Sequence, residues 1–385
     1  MRFSPYGLIP DAEVIAREYD LQPLKTECIP SLKRELKPGW LMPYFYNIDS
    51  MLHGRWEYWQ RLQLIPTEKY NLLQESDRDK RLANIQEHIL PVEPIPQIDF
   101  DEGCVLERDK GRKMLDICLD KMLTGSGYIC MMSRIEYLLD WLLYGFGHPH
   151  PWFKKLPLEP RGCEGCSMVL YQLFDLFRLL YRPKDYWGTL IAQHKGKSSQ
   201  KHTGYFPTPG NVSTMMGKML MSHQKDARLE VGCEPAIGTG VMTLEPSNHI
   251  LSMVGTDIDK LLLKATLVNW YLYCSWFAMP VWYLADRTDL LWGNALVGKN
   301  HPSSPQSIHR KYWLEQYQEI YPVNLVERNW QAEVKEMIAN LPSGAKAPGI
   351  VTSVKELDSL SKLQDKQNKY RRPKAKNKFK KGLFD

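Results

Sequence analysis

Two carboxylates, each ending a short apolar run and each followed by a turn, are the side chains with the clearest capacity for chemistry. The first lies in Leu229-Glu230-Val231-Gly232-Cys233-Glu234-Pro235-Ala236-Ile237-Gly238-Thr239-Gly240. Glycines placed after a strand let the backbone approach a ligand closely, and an acid beside them accepts hydrogen bonds from it. The same residues also fit a plain strand-to-helix turn. About 20 residues further on, the distance at which a ribose-gripping acid follows such a loop, comes Met253-Val254-Gly255-Thr256-Asp257-Ile258-Asp259. Its acid also suits the N-cap of a helix starting near Lys260. Together the two signals point to a nucleotide-like cofactor. The six-residue glycine pattern of dinucleotide sites is missing, which disfavours nicotinamide and flavin.

Two other constellations carry chemistry, and each has a bland reading beside it. His148 and His150, followed by Cys163 and Cys166, could supply the donor set of a tetrahedral zinc site; a buried loop with free thiols is the preferred reading. Tyr44-Phe45-Tyr46 and Trp56-Glu57-Tyr58-Trp59, interleaved with Arg55 and Arg61, can stack nucleic-acid bases or pack a helical core.

The elements that must position these residues fall into three regions. Residues 1–195 read as a helical N-terminal domain, with a break at 91–105 marked by Pro91, Pro94 and Pro96. Met114, Leu115, Cys118 and Met122 recur at helical spacing, as do Leu138, Leu139, Leu142 and Leu143. Val169, Leu173, Leu176 and Leu180 read as one more such run before Pro183. Residues 196–358 change texture. Arg228 to Val231, Ile250 to Gly255 and Ala347 to Val351 are short apolar runs separated by helical patterns, as in an α/β domain. Residues 359–385 are rich in Lys, Arg, Gln and Asn, and are expected to be disordered. From Leu360 onward that tail carries a net charge of +8 within a chain whose total is +6.

The cofactor signals resemble the N6-adenine DNA methyltransferases of the type I modification-subunit kind. Glu234 to Gly240 is similar to that family's acid-Pro-Ala-x-Gly-Thr-Gly loop, and Gly255 to Asp259 to its Gly-x-acid-Ile-Asp strand end. Gly204-Tyr205-Phe206-Pro207-Thr208-Pro209 resembles the segment that closes over the methionine end of the cofactor, and Asp185-Tyr186-Trp187-Gly188 sits at the hand-over from the helical domain. The resemblance covers about residues 170–300. It implies a Rossmann-like, three-layer α/β/α domain that binds S-adenosyl-L-methionine. Thr208 and the backbone around Gly238 and Gly240 would hold the methionine part, Glu234 would face its amine, Asp257 would hold the ribose, and Pro235 belongs to the same cofactor loop. Asn294, in Gly293-Asn294-Ala295-Leu296, stands where the family reads adenine with an Asp.

The family's catalytic Asn/Asp-Pro-Pro-aromatic element occurs nowhere in the chain. In its place Asn294 and Ser353 are the candidates left, Ser353 closing the apolar run Gly349-Ile350-Val351-Thr352 that reads as a fourth strand. The methyltransferase domain therefore reads as truncated. Two functions follow from the resemblance: an S-adenosylmethionine-dependent DNA methyltransferase of the N6-adenine class, or a non-catalytic DNA-associated subunit or regulator retaining the fold. Either implies DNA as partner, with a specificity or catalytic subunit beside it. Lys369, Arg371, Arg372, Lys374, Lys376, Lys378, Lys380 and Lys381 would track phosphates, or only solubilise the chain. The apolar stretch Leu261 to Leu284 is interrupted by Lys264, Asn269 and Pro280, so no membrane span is expected and the location is expected to be cytoplasmic, with reduced thiols.

Overall fold

A carboxylate joins the first two helices of the computed structural model. Asp49, in α1 (Met42–Leu52), accepts the backbone N–H of Trp56 at 2.7 Å, near the start of α2 (Arg55–Gln63). The structure describes residues 3–4, 7–8, 36–63, 75–100, 109–123, 129–195, 205–221 and 226–320, with 332, 336, 339 and 340 singly. Residues 21–350 form one compact unit. Residues 1–20 with 351–385 form another, whose described part is a two-residue antiparallel pairing of β1 (Phe3–Ser4) with β2 (Gly7–Leu8).

The helices of the larger unit are delimited by their own side chains. Asp77 accepts the N–H groups of Asp79 and Lys80 and opens α3 (Arg78–Ile89); Asp109 does the same for α4 (Lys110–Lys121) through Arg112. Met114, Leu115, Cys118 and Met122 are buried, as their spacing predicts. Next comes α5 (Met131–Phe146), whose four leucines are all buried and which stops at Gly147, in the left-handed conformation at φ 72°. The single run expected through Leu180 is two helices, α6 (Cys166–Leu173) and α7 (Leu176–Tyr181). Phe174 and Asp175 between them are extended, and Asp175 holds the Arg178 guanidinium at 3.1 Å. The short α8 (Trp187–His194) and then α9 (Gly210–Met221) lead toward the sheet.

The sheet is small and mixed. Strands β3 (Val231–Glu234), β4 (Ser252–Asp257) and β5 (Asp289–Trp292) are parallel, and β6 (Gln306–Ser307) is antiparallel to β5. The first strand begins three residues later than its apolar run suggests. Ala227 accepts the N–H of Glu230 in a turn, and the Arg228 guanidinium is drawn to the Ile89 and Val92 carbonyls and to Asp226. Between the strands lie α10 (Val241–Leu244), α11 (Lys260–Tyr273) and α12 (Ser275–Ala278); α13 (Arg310–Ile320) follows β6. Residues 349–353, the expected fourth strand, lie outside the described residues, as does Ser353 itself.

The most apolar stretch of the chain is a core helix. Almost every side chain of α11 is buried, and its Lys264 ammonium reaches Glu136 and Asp140 of α5, both at 2.8 Å. No helix among the described residues is long and apolar enough to cross a membrane. Where the sequence suggests a domain boundary at 195, helical region and sheet share one core. Arg55 of α2 donates to Ser247 Oγ at 2.7 Å, to Asn248 and to the Tyr273 carbonyl, and lies over the Trp276 ring. The aromatic clusters belong to that core. Tyr44, Phe45, Trp56, Tyr58 and Trp59 are all at most 1% exposed, which removes them as base-stacking residues.

Candidate cofactor-binding site

Parallel pairing of β3 with β4 brings the two carboxylate turns together. Glu234 lies opposite Gly255, so the loop after β3 folds across the end of β4. There Ile237 donates its N–H to the Thr256 carbonyl at 2.9 Å, and Gly238 donates its own to Asp257 Oδ2 at 2.9 Å. The loop turns through Gly238 at φ 58° and Gly240 at φ 80°, conformations that favour glycine. Gly255 is glycine because a side chain there would overlap Ile237.

Asp257 is held by backbone. Its Oδ1 accepts the N–H of Asp259 at 2.8 Å and Oδ2 takes Gly238, and the Ile258 N–H adds a third backbone hydrogen bond, so the carboxylate has room for one further donor. Burial pushes its pKa above the usual carboxylate range. Asp259, not Asp257, is the helix cap: its Oδ1 accepts Leu261 N–H, and its Oδ2 pairs with the Lys195 ammonium at 2.7 Å. Glu234 is half-buried and receives one weak bond, from Ala236 N–H at 3.3 Å, while Pro235 is exposed. Asn294 follows β5, and its side-chain oxygen accepts the Leu296 N–H at 2.9 Å.

The segment expected to close over the cofactor lies against the loop. A side chain at Gly238 would meet the Tyr205 ring at 3.5 Å, an ordinary contact. Three residues on, Thr208 lines a cleft of about 300 Å³ together with Asp185 and Glu245. Glu234, Gly238, Gly240, Asp257 and Asn294 do not line it. The structure thus groups the cofactor candidates at the strand ends and sets Thr208 at a neighbouring opening.

Motifs place Asp185 but do not give its role, and they miss several other residues. Asp185 Oδ2 accepts the Thr239 hydroxyl at 2.6 Å, and its Oδ1 accepts Asn269 Nδ2 at 2.9 Å and the N–H groups of Trp187 and Gly188. Asn269 also donates to the Thr239 carbonyl at 2.8 Å. The signal in the sequence was an Asn inside the most apolar stretch, and the structure buries it fully. Ile258 and Leu296 are missed as well. They follow Asp257 and Asn294 on adjacent strand ends and are 57% and 96% exposed. Two large aliphatic side chains are thus left exposed beyond the ends of β4 and β5.

The zinc alternative is not assembled. No group of three or more His, Cys, Asp or Glu side chains able to hold a metal occurs among the described residues. His148 bonds instead to the Tyr271 hydroxyl and the Ile308 carbonyl, both at 3.2 Å, and His150 accepts Trp152 N–H. Cys163 and Cys166 are buried free thiols, and burial pushes the Cys166 pKa up to about 12. The eight basic residues of the tail lie outside the described residues.

No family model, curated protein or solved structure matches this chain.

Proposed function

We propose that this protein binds S-adenosylmethionine at the carboxyl ends of β3, β4 and β5 and works in association with DNA as a methyltransferase-like subunit. The observation that carries the reading is the hydrogen bond from Gly238 N–H to Asp257 Oδ2 at 2.9 Å. It presents a glycine loop and a ribose-type acid on adjacent parallel strands, the crevice where open α/β sheets take nucleotides. The residues fit the cofactor. Asp257 keeps a lone pair for a ribose hydroxyl, and Glu234 has an oxygen free of backbone donors for the amine. Ile258 and Leu296 expose the aliphatic surface a purine needs. When bound, the cofactor supplies a methyl group activated on a sulfonium.

Transfer to adenine needs acceptors for the amino protons of a base taken out of the stack. Asn294 Oδ1 already accepts Leu296 N–H, which leaves one lone pair where two amino protons need acceptors, and the chain contains no Asn/Asp-Pro-Pro-aromatic element. The reading is therefore a cofactor-binding, DNA-associated subunit that does not methylate alone, with catalysis or target choice left to a partner subunit. Calorimetry tests the first part. S-adenosylhomocysteine binds the wild type, and Asp257→Ala loses about 1.5–3 kcal/mol, as for hydrogen bonds to a charged group. Absence of binding by the wild type removes the cofactor from the proposal. Labelled methyl transfer to duplex DNA tests the second part, and robust N6-methyladenine formation by the purified chain overturns the non-catalytic role.

A further inference from the structure

We propose that the cleft between α4, α8, α9 and α10 binds a small primary amine, with the Glu245 carboxylate as counter-ion of its ammonium group. This does not depend on the cofactor reading.

The cleft, about 300 Å³, is at the lower end of small-molecule sites and admits an alkyl or aryl amine rather than a macromolecule. Phe100, Val241 and Leu244 give it apolar walls. Most of the charges on its lining are already matched. Lys184 is ion-paired with Asp109. Arg112 donates to Asp116 at 3.0 Å and to Thr189 at 3.3 Å. Asp185 accepts four donors.

Glu245 differs. It closes α10 and is 5% exposed, yet no described residue donates a hydrogen bond to its carboxylate. The His249 ring stands 3.9 Å away, beyond hydrogen-bond range. Arg55 lies in its field, but the Arg55 hydrogen bonds go to Pro96, Ser247, Asn248 and Tyr273. A carboxylate that keeps little contact with water and has no donor among the described residues gains from a ligand that donates to it. Thr214, 5% exposed, adds a hydroxyl to which no hydrogen bond runs among the described residues. An ammonium has three donors and no acceptor, which suits one carboxylate and one hydroxyl above an apolar wall.

The test is calorimetric titration of the full chain, without cofactor, using n-butylamine, benzylamine and the neutral benzyl alcohol. The amines bind saturably and more tightly than the alcohol. Glu245→Gln, isosteric and with no hydrogen bond to lose, weakens the amines about tenfold or more and leaves the alcohol unchanged. Thr214→Val weakens the amines several-fold and guards against a folding defect in the first variant. Absence of saturable amine binding to the wild type, or equal amine affinity in wild type and Glu245→Gln, overturns the proposal. Loss of S-adenosylhomocysteine binding elsewhere would leave these outcomes untouched.

Discussion

The Thr239 hydroxyl donates to Asp185 at 2.6 Å, fastening the glycine loop of the sheet to the turn that opens α8. Asn269 of α11 completes the joint by donating to Asp185 and to the Thr239 carbonyl. Three distant pieces of sequence meet on one buried carboxylate, whose pKa burial raises. The loop is thereby positioned from behind, independently of the strand ends that would grip a ligand.

Thr239→Val tests that joint. The substitution keeps the side chain's shape and leaves an Asp185 oxygen without its donor, a loss of roughly 1–3 kcal/mol. Urea unfolding should show the loss, and Thr239→Ser should recover most of it. Equal midpoints for all three proteins would mean that the loop is held elsewhere.

Leu296→Ala separates binding from folding. At 96% exposure the side chain buries almost nothing in the free protein, so stability should be unchanged. If it covers a purine, its truncation costs about 1–2 kcal/mol of cofactor affinity by the area it would bury. Calorimetry with S-adenosylhomocysteine should then show at least a several-fold weaker constant at an unaltered melting temperature.

The loop and the two acids were legible in the sequence because their function needs neighbours in the chain: Glu234 and Gly238 share a turn, and Asp257 ends the next strand. Asp185 and Asn269 were not recognised as partners, because 84 residues separate them and only the packed core brings them together. Helical spacing identified the buried faces of α4 and α5, but it could not show that Phe174 and Asp175 break the run into α6 and α7. The aromatics near residue 56 were ambiguous for a similar reason. Burial decides between core and base-stacking, and burial depends on what α11 and α12 place against them.

Arg55 is the test of the shared core. It is 1% exposed, and its guanidinium links α2 to Ser247, Asn248 and Tyr273. Lys keeps the charge but cannot reproduce the planar fork, so several acceptors lose their donor together. Arg55→Lys should destabilise the protein by roughly 3 kcal/mol, in one cooperative transition of helices and sheet. Two separate transitions would show that the helical region and the sheet fold independently.

Stability should carry a histidine signature on the acid side. Burial lowers the His148 pKa to about 3, and the ring stacks on the equally buried His309 at 5.4 Å. Ile308 O can only accept, so His148 carries its hydrogen on Nε2 and takes the Tyr271 hydroxyl at Nδ1. The folded pKa lies below the unfolded value of about 6.5. The contribution is therefore present above that pH and lost as pH falls toward 3. Asp49 acts in the opposite sense, since burial raises its pKa to about 7 and its contribution is lost as pH rises through that value. A variant difference isolates the histidine: between pH 6 and 4, His148→Gln should flatten the stability slope by up to about 1.4 kcal/mol per pH unit. Parallel curves for wild type and variant would refute it.

The basic tail supplies the prediction for DNA. Lys366 to Lys381 carries nine positive charges interrupted by Pro373, with Tyr370 and Phe379 as its aromatic residues. Such a composition offers too little apolar surface to bury its charges, which are expected to be available to phosphates. Lys and Arg on such a segment release counterions but read no base edges, so they raise affinity without choosing sequence. With about five or six phosphates engaged, the log–log salt slope of duplex binding should be about −5. Deleting residues 363–385 should flatten that slope and weaken binding alike for unrelated duplexes. Unchanged affinity and salt dependence in the truncated chain would reduce the tail to a solubilising role and move the DNA contact to the folded unit.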